Sequence, residues 1–460
     1  MTISKGIGRE HTIKSLLAYA APTIGVMIFV SVYTMIDGIF VARYVNATAL
    51  SAVNIFMPIY ALIFAIALML GTGGSAIIAK KMGEKKFQEA RSNFTLIVLF
   101  GTVIGLLIMS LGLLFIQPLL ALIGATADEQ LFNYTFTYAK ILLMVSPLIT
   151  IQMMFENFFV TAGKPNLSLV ITLIGGSLNI ALDYLFIVVM NMGIEGAALA
   201  TAIGITIPAF IGIGYFLFAR NNMLYFSKPK VDWKVILHSC INGSSEMITN
   251  LSLSVITFAF NLLMLKYIGV EGVAAVTIML YLMMFLTPVF MGYSVGIAPI
   301  ISYNYGSQNK TQLKRIFKIS TLVISISSIA VFVLSLLLGP FLIQFMVEKG
   351  SAVYHIAIDG FRIFSIGFLF MGINIFTSML FTALSNGKVS AFISLLRTFV
   401  FVLTGLWVLP LLLGVNGIWL AIPLAEFLSL IVCTIFLLKH RNVYNGSNND
   451  SILKGETKVL

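Results

Sequence analysis

Residues 49–86 read ALSAVNIFMPIYALIFAIALMLGTGGSAIIAKKMGEKK, and residues 272–309 read GVAAVTIMLYLMMFLTPVFMGYSVGIAPIISYNYGSQN. Laid side by side without gaps, at an offset of 223, they place Ala52-Val53 on Ala275-Val276, Gly73 on Gly296 and Gly83 on Gly306. A second match comes at an offset of 221, between GIEGAALA (193–200) and GVNGIWLA (414–421). A drift of two positions over that distance is loop variation, so one set of six elements occurs twice in the same order. Parallel repeats of this kind are typical of transporters whose two halves rock about a shared axis, whereas channels more often assemble from identical subunits.

The elements are membrane helices. The chain has 460 residues, 59% of them hydrophobic and 10% charged, and no soluble core of that length hides so much apolar side chain. The apolar runs are continuous rather than alternating, which argues against a β-barrel. Twelve runs of about 20 residues or more span about 30 Å of hydrocarbon each. They lie at 15–40, 50–78, 93–117, 134–161, 167–190, 195–219, 238–266, 272–303, 316–346, 356–383, 390–413 and 416–438. The expected fold is an all-α membrane protein, with twelve transmembrane helices in two six-helix lobes related by internal duplication. The lobes are expected at 1–219 and 235–440, joined by a polar linker at 220–234 and followed by a polar tail at 441–460.

Charge sets the orientation. Of 28 Lys and Arg, 22 fall on one side of this topology, including Lys80, Lys81, Lys85, Lys86, Arg91, Lys228, Lys230, Lys314, Arg315 and Lys318. The other side carries only Arg43, Lys266 and Lys349. The rich side is cytoplasmic by the positive-inside rule, which puts both termini inside the cell. The formal charge of +11 is thereby explained without nucleic acid. The polar N-terminus followed by a full-length apolar run reads as a first span rather than a cleaved leader. Cys240 and Cys433 fall in apolar runs and read as packing residues. The four histidines lack metal-type spacing, and GTGGSAIIAKK (71–81) lacks the Gly-Lys-Ser/Thr of a phosphate loop. No enzyme constellation and no cofactor are expected.

The candidate chemistry is carboxylate chemistry. Asp37, Glu156, Asp183, Glu246 and Glu426 lie within spans, where a charge costs roughly 3 kcal/mol at the centre of a lone helix. Structural pairing with Lys140, Arg362 or Arg397 would account for some of them. In SLNIALDYLFI (177–187), Asn179 precedes Asp183 by one turn, so both face one way. Thr201 can add a hydroxyl if the fifth and sixth spans form a hairpin, and Asp37 would add a second carboxylate. Two such carboxylates in low dielectric share a proton, and the same oxygens can hold Na⁺. Pro22 permits a bend 15 residues before Asp37.

Together these residues resemble the MATE (multidrug and toxic compound extrusion) transporters over residues 12–440. Pro22 and Asp37 in span one, Asn179 and Asp183 in span five and Thr201 in span six fall where that family holds its N-lobe cation. ENFFVTAGKP (156–165) is similar to the family's span-four ending, and Glu156 and Asp183 match acidic positions of the bacterial branch that extrudes lipophilic cationic drugs. Some members also carry a C-lobe site. Glu246 matches its span-seven glutamate, but its span-ten aspartate falls near the uncharged Asn374, leaving Glu426 as a partial substitute. The resemblance implies a monomeric, multi-pass antiporter in a bacterial cell membrane. It would exchange H⁺ or Na⁺, bound at Asp37, Asn179, Asp183 and Thr201, for organic cations held in an apolar V-shaped cavity between the lobes. A flippase for lipid-linked precursors is the first alternative and a channel the second. Such a flippase needs a basic cavity, for which Arg362 and Arg397 are the candidates.

Overall fold

The computed structural model describes residues 7–218 and 220–445. Lys5, Lys454 and Lys458 of the basic tally, and residues 446–460 of the polar tail, lie outside the described residues. Among the described residues eleven helices and one bent pair are long and apolar enough to cross a membrane, twelve spans with the pair taken as one: Ile13–Val45, Ala47–Gly83, Phe87–Leu114, Glu129–Met144 with Ser146–Thr161, Pro165–Val189, Gly193–Phe218, Trp233–Tyr267, Val270–Gly306, Lys310–Met346, Ala352–Ala383, Gly387–Leu413 and Val415–Lys439. They are numbered spans 1 to 12 in that order. Each overlaps the run expected from the sequence.

Polar residues set where the spans begin. Asn46 caps span 2 by accepting from the Ala49 amide at 2.8 Å, and Asn309 caps span 9 from the Gln312 amide at 3.0 Å. Thr12 and Ser15 form a reciprocal capping box at the start of span 1. Span 4 departs from a single rod. It bends by 57° at Val145, just before Ser146-Pro147, where the proline has no amide to continue the ladder. Span 1, by contrast, runs helically through Pro22.

The duplication governs packing as well as order. In the first half span 1 packs on span 5, span 2 on span 4, span 3 on span 4 and span 5 on span 6. In the second half span 7 packs on span 11, span 8 on span 10, span 9 on span 10 and span 11 on span 12, pair for pair. Turn geometry repeats too: Lys85 (φ 62°) and Gln308 (φ 55°), both left-handed, stand at equivalent turns 223 positions apart.

The halves meet where span 2 crosses spans 7 and 8 and where span 1 crosses span 8. These contacts gather toward the ends that carry the basic loops. A Cβ on Gly83 would stand 2.0 Å from the Tyr303 carbonyl oxygen, and one on Gly306 would stand 2.0 Å from that of Lys80. Lys80 and Tyr303 are themselves 223 apart, so the contact is reciprocal about a pseudo-two-fold axis. Only glycine admits backbones at that distance.

The linker is fastened to the first half. Arg91 of span 3 donates from Nε to the Met223 carbonyl at 3.1 Å and from Nη1 to the Tyr225 hydroxyl at 2.8 Å. The Ser227 amide donates to Thr95 Oγ1 at 3.0 Å, and the Lys230 amide to Ser92 Oγ at 2.8 Å. Phe226 joins Phe94, Phe155 and Phe216 in an aromatic cluster.

Candidate functional site

A cavity of about 80 Å³ lies among spans 1, 2, 4, 5 and 6. That is room for several waters or a bare ion, and far less than a drug-sized ligand needs. Its polar wall includes Asp37, Gln152, Thr172, Asn179 and Thr201, and its aromatic wall includes Tyr33, Tyr60 and Tyr138. No Lys, Arg or His lines it.

Close helix packing places these groups. A Cβ on Gly175 of span 5 would come within 2.6 Å of the Gly204 carbonyl oxygen on span 6. This tight crossing brings Asn179, one turn further on, to Thr201: Asn179 Nδ2 donates to Thr201 Oγ1 at 3.5 Å. Tyr138 is within hydrogen-bonding reach of Thr201. Asp183, one turn beyond Asn179, is 0% exposed and sits just behind the cavity wall. Its carboxyl lies within hydrogen-bonding reach of Asp37 across the span 1–span 5 contact. In both spans the helix widens to π geometry directly afterward, at Val41–Val45 and Tyr184–Val189. Such widenings often mark functional sites.

The hydrogen-bond inventory of this cluster is incomplete. Asp37 Oδ1, both Asp183 carboxyl oxygens, Asn179 Oδ1 and Gln152 Oε1 are buried and meet no donor. Two facing carboxylates have no proton to offer each other and repel, so the pair is relieved by a shared proton or by a cation among these oxygens. All are hard oxygen donors, suited to H⁺ or an alkali ion. Among the described residues no group of three His, Cys, Asp or Glu is placed to hold a metal.

Glu156 does not line the cavity, but it is hydrogen-bonded to two residues that do. Gln152 Nε2 donates to Glu156 Oε1 at 2.6 Å, and Thr172 Oγ1 donates to the same oxygen at 3.3 Å. Tyr33 and Tyr60 interact electrostatically with both Asp37 and Glu156. Glu156 is thus held inside the fold by two neutral neighbours. Gln152 stands one turn before it, a spacing that could have revealed it as a partner. Tyr33, Tyr60, Tyr138 and Thr172 are neutral residues from four spans, and only the fold assembles them.

The remaining candidates lie apart. Glu426 on span 12 receives Arg397 Nε at 2.9 and 3.0 Å and Asn374 Nδ2 at 2.7 Å. Arg397 sits in a third π segment, Leu396–Val400. Glu246 on span 7 is buried and electrostatically close to Arg397. Neither glutamate touches the cavity of the first half.

A model of the family described as MatE matches residues 22–185 and 247–408, one segment in each half. Multidrug export protein MepA of Staphylococcus haemolyticus is 24% identical over 436 residues, covering 93% of this chain and 94% of that protein. The protein of the same name from Staphylococcus aureus is 23% identical over 454 residues, covering 94% and 95%. A solved structure titled as the outward-facing conformation of a multidrug resistance MATE family transporter of the MOP superfamily superposes with a TM-score of 0.90. It is 21% identical, and the match covers 96% of this chain and 99% of that one. With two thirds of the chain matched in two repeated segments, and the whole fold superposing, this chain belongs to the MatE family.

Proposed function

We propose that this protein is a secondary active multidrug efflux antiporter, a transporter and not an enzyme. H⁺ or Na⁺ enters down its gradient and lipophilic organic cations leave. The observation that carries this reading is the facing pair Asp37–Asp183, whose buried oxygens meet no donor in a cavity without a basic side chain. The relatives named multidrug export proteins support the direction of transport and the breadth of substrate.

The coupling follows from charge. Loading H⁺ or Na⁺ among Asp37, Asn179, Asp183 and Thr201 cancels repulsion between spans 1 and 5. Their packing in the loaded state therefore differs from that in the unloaded state. An organic cation competes for the same negative field, so ion and substrate exclude each other. Glu156, held by Gln152 and Thr172, is the second acidic group that substrate or ion meets in this path. Glu246 and Glu426 are assigned to the second half, with Glu426 neutralised by Arg397.

Orientation supports one stage of a cycle. The lobes, divided near the 220–234 linker, are joined at their basic ends. With those ends cytoplasmic by the positive-inside rule, this reading takes the arrangement as the outward-open stage of a monomer in a bacterial membrane. The flippase alternative is disfavoured by one contact: Arg397, its best buried cation, already holds Glu426.

The experiment is efflux of a fluorescent lipophilic cation from proteoliposomes, for wild type and Asp183→Asn, driven separately by H⁺ and by Na⁺ gradients. Efflux under one gradient, lost in a folded Asp183→Asn protein, is expected. Normal pumping by that variant would end the N-lobe mechanism, and no efflux by wild type under either gradient would end the antiporter reading.

A further inference from the structure

Where the two lobes meet at their basic ends, a crevice of about 490 Å³ lies open beside the seam. One wall is Thr12, Ile13 and Lys14 at the start of span 1, and the other is Arg315, Lys318 and Ile319 near the start of span 9. The walls belong to different halves of the chain. All three charged residues in them are positive.

Basic residues at such helix ends are ordinary, so the surroundings decide whether these three do more. In the loop after span 2, Lys81 and Lys86 are held by Glu84 and Glu89 at 2.8 to 3.5 Å. At the crevice Lys14 and Lys318 have no ion-pair partner among the described residues. Arg315 has only Glu10, at 3.8 Å, and the Glu10 side chain is 84% exposed. Thr12 is committed to the cap of span 1. The crevice therefore presents two positive charges without an ion-pair partner among the described residues, Lys14 and Lys318, and a third, Arg315, held only by the exposed Glu10.

Its apolar part points to the anion's source. Ile13 is 46% exposed and is the first residue of span 1, two positions before the apolar run at 15–40 begins. Ile319 lies on the opposite wall. A soluble anion has no use for two isoleucines, whereas a lipid carries a phosphate beside acyl chains. Basic pockets between membrane helices on the cytoplasmic side are a recurrent way of holding anionic headgroups.

We propose that this crevice binds the phosphate headgroup of an anionic glycerophospholipid. Lys14 on one lobe and Arg315 with Lys318 on the other grip the same headgroup, and Ile13 and Ile319 take the first part of its acyl chains. Because the walls come from both lobes, a bound lipid favours the arrangement in which the basic ends are together. It is released when they part.

The test uses purified full-length protein in neutral detergent. Thermal unfolding is followed while short-chain phosphatidylglycerol is added, beside phosphatidylcholine of equal chain length and inorganic phosphate. Native mass spectrometry counts bound lipid. Phosphatidylglycerol is expected to stabilise the wild type at concentrations where the other two do not. Lys14→Gln alone and Lys318→Gln alone each weaken its binding about fivefold, and adding Arg315→Gln to both removes it. A charge-matched control, Lys228→Gln with Lys230→Gln and Lys234→Gln, keeps wild-type binding. Equal binding by the crevice triple variant, or equal loss in the control, overturns the site. Equal stabilisation by inorganic phosphate overturns the lipid and assigns the crevice to a soluble anion.

Discussion

The two lobes repeat one scaffold but dispose of their buried charge in opposite ways. In the first lobe Asp37 and Asp183 face each other without a cation, beside a cavity. In the second, Arg397 and Glu426 neutralise each other at 2.9 Å, with Asn374 completing the set. At the offsets of 223 and 221 that relate the halves, Asp37 and Asp183 stand opposite Phe260 and Thr404. At the offset of 221, Arg397 and Glu426 stand opposite Gly176 and Ile205, and both of these line the first lobe's cavity. The ion pair of one lobe thus occupies the position that the other leaves open. Duplication supplied two equivalent sites, of which one keeps its charge available and the other is closed from within.

That contrast is most easily broken by single neutralisations. Asp183→Asn is expected to unfold thermally near wild type and to lose ion-driven efflux. Glu426→Gln is expected to do the reverse: it strands Arg397 in a buried site, a loss of about 3–5 kcal/mol. Unfolding in detergent, with efflux normalised to folded protein, reads both; two variants failing in the same way would erase the distinction. Replacing the whole pair, Arg397→Met with Glu426→Leu, should recover most of the stability lost by Glu426→Gln, because an apolar pair of similar volume carries no desolvation cost. A double variant as unstable as the single one would mean that the pair holds something more than itself.

A smaller effect is expected at the seam. Gly306→Val forces a side chain against the Lys80 carbonyl, so the basic ends are held apart. A cysteine introduced at Ser302, buried beside this crossing, should react faster with a thiol reagent than in the parent, and an unchanged rate would show that the seam yields without opening. Asn179→Ala removes one neutral oxygen from the proposed N-lobe cation site and is expected to cost about 1 kcal/mol, or about fivefold in the ion concentration that drives half-maximal efflux. The smallest change belongs to Tyr225→Ala, which removes the ring 4.1 Å from the Arg91 guanidinium and should lower stability by about 1 kcal/mol.

The fold was legible because its signals are local or periodic. Span lengths follow from continuous apolar runs, and the two-lobe plan from Gly73/Gly296 and Gly83/Gly306 at one spacing. Asn179 and Asp183 could be paired because one helical turn separates them. The bend in span 4 was missed although Ser146-Pro147 announces it, since an apolar run of 28 residues passes for a straight span. Asp37 can be offered from the sequence as a second carboxylate for the Asp183 cluster, and the family resemblance supports it, but no turn rule joins residues so distant across spans 1 and 5. The Arg397–Glu426 pair is 29 residues apart, and Arg397 had been only one of three possible partners for the acids. Gln152 carries no charge to draw attention, although its spacing from Glu156 is as regular as that of Asn179 from Asp183.

The fastened linker limits how the halves travel. The Lys230 amide is tied to Ser92, and Asp232 caps span 7 through the Lys234 amide at 2.9 Å, so only Val231 lies between the two ties. The two residue steps from Lys230 to Asp232 reach at most about 7 Å, which allows turning but little sliding. The edge at residues 230–232 therefore acts as a door jamb, and the far edges of the lobes sweep the widest arc.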